Sequence, residues 1–401
     1  MNTVEKKPER RSPLPVSVLV ILAILIIAWI LPLPALKAQT SYSYKSRPQP
    51  VNLDWPSYGE AAVGAEGYGL LDSHGAQVAQ PIASCTKMIT ALAVLKKHPL
   101  SAGNQGPTIT ITSDDVSAYN NYVAQDGSVV AVSAGEQLSE YQALQAMLLP
   151  SANNMAFTLA RWGWGSMNSY VNYANKYLGQ LGLKNTHVAD ASGFSPQSVS
   201  TASDLTSLGL IVMSNPVLSG IVGQSSADLP VAGTVKNTNW LLGSNGINGI
   251  KTGNTEQAGG CYLFSASRDI DGQKILVVGA VMGADNLTAA MSDSRDLLLS
   301  VDNGFTKVTV AKKNEILGIY AASWGSVVNL VAKNDVNVVT WQTRQVSSKL
   351  DISNKMVTVK RGQKVGTISA VVWGKKNNVD VVADDNVPGP AWQWRLYRRH
   401  L

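Results

Sequence analysis

The sequence predicts an α/β (α+β) fold in which helices flank an antiparallel sheet, followed by a small all-β domain. Helical and strand patterns alternate over residues 55–301, which is typical of mixed domains. Residues 260–268 and 274–282 are β-rich and flank an Asp-Gly pair, which indicates an antiparallel hairpin. After that region the chain changes to short Val- and Ile-rich runs, which predicts a β-rich domain over 303–401.

Local signals place the individual helices and strands. The apolar patterns predict a strand over 61–71 and helices over 87–95 and 140–149. Thr201-Ala-Ser-Asp204 fits a capping box that opens a further helix. The strand-like runs of the C-terminal domain are residues 307–310, 327–331, 336–341, 356–359 and 365–372.

The first 36 residues combine a basic tail with a long apolar run. Four basic residues, Lys6, Lys7, Arg10 and Arg11, precede residues 16–36, which only Ser17, Pro32 and Pro34 interrupt. About 20 apolar residues cross a bilayer as a helix. We therefore expect a transmembrane signal-anchor over 16–36 and, from the positive-inside rule, a cytoplasmic tail over 1–15. The rest of the chain would then lie outside the cytoplasm as part of a single-pass cell-membrane protein.

A cleaved signal peptide is the alternative for this segment. The cut would follow Ala38, but Leu36 fits poorly the small residue expected at the −3 position. The polar residues 37–50 contain two prolines, which indicates a linker that holds the next domain off the membrane.

Composition excludes several classes of protein. The 401 residues suggest two or three domains. Only 15% of them are charged, against about 25% in an average soluble domain, which excludes a disordered acidic chain and argues against a histone-like nucleic-acid binder. With two cysteines, four histidines and no H-E-x-x-H motif, we expect neither a disulfide scaffold nor a metal site.

The net charge of +6 is unevenly distributed. Residues 1–39 carry five basic and two acidic groups, residues 40–302 carry 13 and 19, and residues 303–401 carry 15 and six. An acidic middle thus lies between two basic ends, and we expect the basic C-terminal domain to contact anionic lipid or wall polymer.

The chain contains a single serine that is followed three residues later by a lysine, in Ser84-Cys-Thr-Lys87. The motif opens the predicted helix over 87–95, so the two side chains share one face, one turn apart. A serine hydroxyl needs a base within reach, and a lysine serves when burial or a positive field lowers its pKa. The helix N-terminus supplies such a field, which also favours an oxyanion.

Two further motifs follow. Ser151-Ala-Asn153 lies between two apolar helical runs, whereas the similar Ser166-Met-Asn168 is interpreted as a helix cap. Lys251-Thr252-Gly253 precedes the hairpin. A lysine and a hydroxyl there can bind a substrate carboxylate, and the glycine permits close backbone approach.

The ordered motifs S-x-x-K, S-x-N and K-T-G, 67 and then 100 residues apart, are the signature of serine β-lactamases and penicillin-binding proteins. From about Val51 to the C-terminus, the chain resembles the low-molecular-mass penicillin-binding proteins that are serine-type D-alanyl-D-alanine carboxypeptidases. Asp190-Ala-Ser-Gly193 and Val281-Met-Gly283 also look like this family. The resemblance implies a penicillin-binding/serine β-lactamase-like transpeptidase fold with a helical subdomain, and a catalytic domain over 51–302.

The resemblance also implies the catalytic residues. Ser84 would be the acylated nucleophile and Lys87 its general base. Ser151 would relay a proton between the lysines and the leaving amine. The backbone N–H groups of Ser84 and Asn254 would form the oxyanion hole.

It implies substrate-binding roles as well. Asn153 would hold the peptide bond of the substrate, while Lys251 and Thr252, beside Gly253, would bind the terminal D-Ala carboxylate. Two positions depart from many relatives, because Asn154 stands where Asp is frequent and Asn254 where His is frequent. Neither change removes a catalytic group, since Asn254 would act through its backbone N–H.

The expected partners follow from this reading. They are peptidoglycan stem peptides ending in D-Ala-D-Ala, β-lactams as covalent inhibitors, and the membrane, with no cofactor and no nucleic acid. A DD-endopeptidase that cuts cross-links would share every catalytic residue. A class A β-lactamase is disfavoured because no glutamate lies between Ser151 and Lys251. A non-catalytic wall-binding protein is disfavoured because every motif is intact.

Four remaining features are interpreted more simply. Cys85 is expected to be a small buried residue, and its pairing with Cys261 is the one intramolecular disulfide the sequence allows. Residues 243–253 lack the Gly-Lys pair of a phosphate-binding loop. His187 is expected to be structural. The alternation of Trp392, Trp394 and Leu396 favours a closing strand, with a membrane-interface segment as the alternative.

Overall fold

The computed structural model describes residues 16–398 in two compact units, one spanning residues 50–306 and the other combining residues 16–49 with residues 307–398. The predicted cytoplasmic tail over 1–15 lies outside the described residues. The helices are α1 (Val16–Ile30), α2 (Thr86–Lys97), α3 (Ser113–Val123), α4 (Glu140–Leu148), α5 (Asn153–Trp164), α6 (Met167–Gln180), α7 (Ala202–Ser214), α8 (Pro216–Val222), α9 (Leu287–Val301) and α10 (Trp392–Tyr397).

The first strand, β1 (Lys37–Gln39), belongs to the unit that combines residues 16–49 with residues 307–398. The unit of residues 50–306 contains β2 (Glu60–Ala65), β3 (Gly69–His74), β4 (Gln80–Pro81), β5 (Thr108–Thr110), β6 (Gln137–Ser139), β7 (Val199–Ser200), β8 (Ser226–Leu229), β9 (Gly233–Lys236), β10 (Ile247–Thr255), β11 (Gly259–Ile270) and β12 (Gln273–Ala284). The remaining strands are β13 (Phe305–Ala311), β14 (Ile316–Ala321), β15 (Val327–Ala332), β16 (Val336–Trp341), β17 (Ser347–Ile352), β18 (Lys364–Val372) and β19 (Lys375–Ala383).

The unit of residues 50–306 is built on a five-stranded antiparallel sheet in the order β10-β11-β12-β2-β3. The predicted hairpin is confirmed as β11 and β12, joined at Asp271 and Gly272, both of which have positive φ. The single strand predicted over 61–71 is instead two strands. Gly67 and Gly69 adopt φ of +79° and +71°, and this left-handed backbone turns the chain back on itself.

Helices cover this sheet and form a subdomain beside it. Helices α7 and α9 pack on the sheet, whereas α2 packs against α4, α5 and α6. Every residue over 86–95 of α2 is buried, so this helix lies inside the core rather than on its surface. The predicted mixed fold, with an antiparallel sheet flanked by helices, is confirmed.

The other unit is β-rich, as predicted. Its six-stranded antiparallel sheet has the order β1-β14-β15-β19-β18-β17, and β13 pairs with β16. Residues such as Tyr320, Leu330 and Ile368 are fully buried in its core. The run predicted as a strand over 356–359 contributes only an isolated bridge at Val359.

The segment over 37–50 is not the free linker that its composition predicts. Lys37–Gln39 pair with β14 as an edge strand, and the backbone of Ser46 donates to the carbonyl oxygen of Val346. Polar side chains do not prevent this, because an edge strand needs only its backbone groups to pair. Residues 37–49 are therefore part of the β-rich unit.

The N-terminal apolar helix is shorter than the predicted span. Helix α1 has 15 residues and ends at Ile30, just before Pro32 and Pro34, which cannot continue a helix. Among residues 16–398, no single helix combines the length and the apolar character needed to cross a membrane; the bent pair α7 and α8 meets the criteria only jointly.

The C-terminal segment was predicted as a strand, and this prediction is wrong. Residues 392–397 form helix α10. Its Trp394 is buried, donates its indole N–H to the carbonyl oxygen of Ser323, and packs edge-on against Trp324. These long-range contacts favour the helix, in which Trp394 is buried. The alternation of apolar and polar residues in this short segment cannot reveal such contacts.

Candidate active site

Ser84 lies in a single 3₁₀ turn that leads directly into α2. The turn places Ser84 partly exposed, while Lys87 on the first turn of the helix is completely buried. The Lys87 amine nitrogen lies 2.7 Å from the Ser84 hydroxyl oxygen. The sequence prediction that these two residues meet is confirmed.

Two carbonyl oxygens complete the surroundings of the Lys87 amine. It donates to the side-chain Oδ1 of Asn153 at 2.7 Å and to the main-chain oxygen of Ser192 at 2.9 Å. Burial, reinforced by the nearby charge of Lys251, holds the pKa of Lys87 well below its usual range. Both causes disfavour the charged form of the amine and so favour the neutral one.

This geometry determines the direction of the Lys87 lone pair. A neutral amine has two N–H donors and one acceptor site. The carbonyl oxygens of Asn153 and Ser192 accept hydrogen bonds and cannot donate them, so they take both N–H groups. The lone pair then points at Ser84, which is the arrangement that a general base requires.

Sequence reasoning assigned no role to Ser192 or to Asp190. The Asp190 carboxylate accepts hydrogen bonds from the Ser192 and Ser198 hydroxyls and from the backbone N–H groups of Gly193 and Phe194, at 2.7 to 3.1 Å. These bonds hold the turn that presents the Ser192 carbonyl to Lys87. The one sequence signal for these two residues was the resemblance of the segment Asp190–Gly193 to the carboxypeptidase family.

Glycine is required in this turn. Gly193 has φ of +75°, a conformation that glycine adopts without strain. A Cβ at this position would lie 1.8 Å from the carbonyl oxygen of Ala83, the residue before the nucleophile. The Asp190 turn therefore packs directly on the Ser84 turn.

The second motif lies where the loop after α4 enters α5. Ser151 is buried with φ of +67°, and Asn153 begins α5 with its backbone N–H bonded to the Ser128 carbonyl. Asn154 exchanges two hydrogen bonds with the backbone of Val130. Its side-chain amide both donates and accepts a hydrogen bond there, so Asn154 holds the loop that contains Val130.

The third motif lies on strand β10. Lys251 is buried, its amine donates to the Thr252 carbonyl at 2.9 Å, and burial lowers its pKa to about 8. The hydroxyls of Thr252 and Thr238 are 2.6 Å apart. A Cβ on Gly253 would lie 3.1 Å from the Ser84 backbone nitrogen, so this strand passes close beside the nucleophile.

An open cleft of about 560 Å³ lies at Ser84. Ser84, Asn153 and Asn254 line it, together with the exposed carboxylates of Asp126 and Glu256. A serine that lines a cleft and has a buried lysine amine beside it can perform acyl transfer. Within residues 16–398, no group of three or more His, Cys, Asp or Glu residues could hold a metal ion.

Residues 63–286 match the model of the Peptidase_S11 family, described as D-alanyl-D-alanine carboxypeptidase. The chain belongs to this family. It is 27% identical over 355 residues to the D-alanyl-D-alanine carboxypeptidase DacA of Escherichia coli, covering 84% of this chain and 86% of the relative. It is 29% identical over 223 residues to a D-alanyl-D-alanine endopeptidase of Pseudomonas aeruginosa, covering 53% of this chain and 67% of the relative.

Among solved structures, the Peptidase_S11 chain is similar to the DD-transpeptidase of Streptomyces K15. The TM-score is 0.53 at 26% identity, over 64% of this chain and 98% of that one. The resemblance to a penicillin-binding fold, stated from the motifs, is thus confirmed.

His187 lies apart from the cleft residues, is exposed and exchanges two backbone hydrogen bonds with Val199.

Proposed function

We propose that this Peptidase_S11 chain is a serine-type D-Ala-D-Ala carboxypeptidase that removes the terminal D-alanine from peptidoglycan pentapeptide stems. The observation that carries the proposal is the contact of Lys87 with Ser84, 2.7 Å apart, with the lysine buried and the serine open to the cleft. The names of the relatives support the substrate class.

Acylation begins at this contact. The Lys87 lone pair accepts the proton of the Ser84 hydroxyl as its oxygen attacks the carbonyl carbon between the two D-alanines. The backbone N–H groups of Ser84 and Asn254 stabilise the oxyanion, as the close approach of β10 to Ser84 favours. Asn153 holds the substrate amide while its carbonyl oxygen orients Lys87.

Recognition of the free C-terminus falls to the K-T-G strand. The Lys251 ammonium supplies the positive charge for the D-Ala carboxylate, and the Thr252 hydroxyl supplies a hydrogen bond. Gly253 allows the backbone to approach the nucleophile. Because Lys251 and Thr252 bind a free carboxylate, the substrate must present the C-terminal end of a stem peptide.

Release of D-alanine needs a proton on its amine. Ser151, buried at the start of the S-x-N motif, relays that proton from the protonated Lys87 to the leaving nitrogen. Water then hydrolyses the ester on Ser84, with Lys87 again as the base, and regenerates the free hydroxyl.

β-Lactams are proposed to acylate the same serine and remain bound. Class A β-lactamases use a glutamate to activate the deacylating water, and no glutamate lies between Ser151 and Lys251. The penicilloyl ester is therefore expected to be long-lived.

One assay tests the proposed activity. The wild-type chain is expected to release free D-alanine from diacetyl-Lys-D-Ala-D-Ala, and the Ser84→Ala variant is not. Ser166→Ala is a matched control, because Ser166 caps α6 outside the cleft and its loss should not change release. Absence of release by the wild type would refute the carboxypeptidase reading.

A DD-endopeptidase is the second candidate, because one relative carries that name. It would use the same residues on a peptide bond within a cross-link. Purified cross-linked muropeptides, assayed in parallel, separate the two. Preferential cleavage of cross-links would favour the endopeptidase, and preferential release of terminal D-alanine the carboxypeptidase.

We also propose that the chain is anchored in the cell membrane, with residues 1–15 cytoplasmic and the catalytic domain outside. The apolar run over 16–36 supports this. So does the cluster at the end of α1, where the Arg395 guanidinium lies 4.5 Å from the Trp29 ring centroid, since tryptophans and basic side chains favour the membrane interface. Carbonate-resistant membrane pelleting of a chain with an intact N-terminus is expected. A soluble chain beginning at Gln39 would indicate a cleaved signal.

A further inference from the structure

The two cysteines of the chain lie side by side, and one of them is the residue that follows the nucleophile. Cys85 follows Ser84 in the 3₁₀ turn, and Cys261 lies on β11; both are completely buried. Their sulfur atoms are 3.4 Å apart although 176 residues separate them in sequence. No third cysteine exists, so each thiol has one intramolecular partner.

The pair joins two parts of the site. Cys85 donates from its sulfur to the carbonyl oxygen of Lys251, 3.7 Å away. Cys261 lies opposite Gly253 in the register of β10 and β11. A bond between the sulfurs would therefore tie the turn that carries Ser84 to the sheet that carries the K-T-G strand.

The two thiols have opposite pKa shifts because they contact each other. The hydrogen bond from Cys261 and the nearby charge of Lys251 lower the pKa of Cys85, whereas its bond to Cys85 and burial raise the pKa of Cys261. These pKa shifts belong to the folded chain, in which both sulfurs are buried; the observation that carries the inference is the direct contact of the two sulfurs.

We propose that Cys85 and Cys261 are a disulfide site, closed when the chain meets a thiol oxidant of the disulfide class outside the cytoplasm. The Cys85 thiolate attacks one sulfur of the oxidant, which forms a mixed disulfide and releases one thiolate. Cys261, after losing its proton, attacks the Cys85 sulfur and releases the second. The two cysteines lose two electrons and two protons, and the oxidant becomes two thiols.

Burial determines when this happens. Neither sulfur is accessible in the folded chain, so the oxidant reaches the pair while the helix and the sheet are coming together. The same burial then protects the bond from reductants. The inference goes beyond the proposed activity and depends on it only through the proposed extracytoplasmic location.

Thiol counting on the full-length chain tests the proposal. Protein refolded in a glutathione redox buffer is blocked with maleimide in denaturant, with and without prior reduction. We expect no adduct before reduction and two adducts after it, a monomer on a non-reducing gel, and one cross-linked peptide containing Cys85 and Cys261. Two free thiols, or disulfide-linked dimers only, would overturn the proposal.

Thermal unfolding supplies a second readout. A bond that closes so long a loop should raise Tm by about 5–15 °C over the reduced protein. The Cys261→Ala variant should show no change in Tm with reductant. Equal Tm values for wild-type protein refolded in the glutathione buffer and wild-type protein refolded with excess reductant would contradict a closed bond. The thiol count does not depend on D-alanine release, so failure of one proposal is distinguishable from failure of the other.

Discussion

The main-chain carbonyl of Ser192 accepts a hydrogen bond at 2.9 Å from the same Lys87 amine that lies 2.7 Å from the Ser84 hydroxyl. This bond and the one to Asn153 leave the amine a single open direction. Activation of the serine therefore depends on a turn that is more than a hundred residues away in sequence and contributes only a backbone oxygen.

The first prediction concerns the pH profile of kcat/KM for D-alanine release. Lys87 must be neutral, so activity rises with pH through its depressed pKa. Lys251 must be charged, so activity falls as pH passes the Lys251 pKa of about 8. A bell-shaped profile is expected.

Substitution of Lys251 tests whether this residue causes the alkaline limb of the pH profile. Lys251→Arg keeps the positive charge to much higher pH, so the alkaline limb should move upward even if the plateau falls. Lys184→Arg, at an exposed position, is the control and should leave the profile in place. An alkaline limb that stays near pH 8 in Lys251→Arg would count against the carboxylate-binding role.

The second prediction concerns Asp190 as a positioning residue. In Asp190→Asn, the side-chain NH₂ would face backbone N–H donors, so the Ser192 carbonyl loses its fixed position and kcat/KM should fall about 10–100-fold. The Asp190 charge raises the pKa of Lys87. Its removal should therefore also move the acid limb to lower pH. Ser198→Ala removes one donor and keeps the charge, so the acid limb should not move.

The third prediction separates steric overlap from backbone strain. Gly193 and Gly182 have φ of +75° and +79°, but only at Gly193 would a Cβ meet other atoms. Gly182→Ala should cost about 1 kcal/mol in the free energy of unfolding. Gly193→Ala should cost several times more and abolish penicillin labelling. Similar midpoints of urea unfolding for the two variants would contradict this packing.

The fourth prediction concerns the buried carboxylate of Glu140, whose oxygens have no hydrogen-bond partner among the described residues. Burial raises its pKa to about 7. The folded state therefore binds a proton that the unfolded state has lost, and this group's contribution to stability falls as pH rises from about 4.5 to 7.

Glu140→Gln should consequently stabilise the chain at pH 8 by about 1–3 kcal/mol, and the gain should shrink at pH 5. Urea unfolding at both pH values measures it. Glu66→Gln, at an exposed position, should show no such dependence. A stabilisation that is equal at pH 5 and pH 8 would rule out the titration of Glu140 as its cause.

The catalytic motifs could be predicted from sequence because they are local. Ser84 and Lys87 are three residues apart at the start of an unambiguous apolar helical pattern, and the Asp-Gly pair at 271–272 specifies its own hairpin. The helix cap predicted at Ser166 is likewise a local signal, and Ser166 caps α6.

What the sequence did not reveal depends on distant contacts. Any residue supplies a main-chain carbonyl, so the role of Ser192 has no signature in residue type. Helix α10 forms around Trp394 and its contacts with Trp324, and the edge strand at 37–39 forms against β14. In each case tertiary packing outweighs a weak local pattern.

Mapping of the acyl-enzyme tests the central claim most directly. The full-length chain is incubated with labelled penicillin, the adduct is followed with time, and its position is located by peptide mass spectrometry. We predict one long-lived adduct on Ser84, absent from Ser84→Ala and formed much more slowly by Lys87→Ala. An adduct on another residue, or rapid turnover of penicillin by the wild type, would contradict the account.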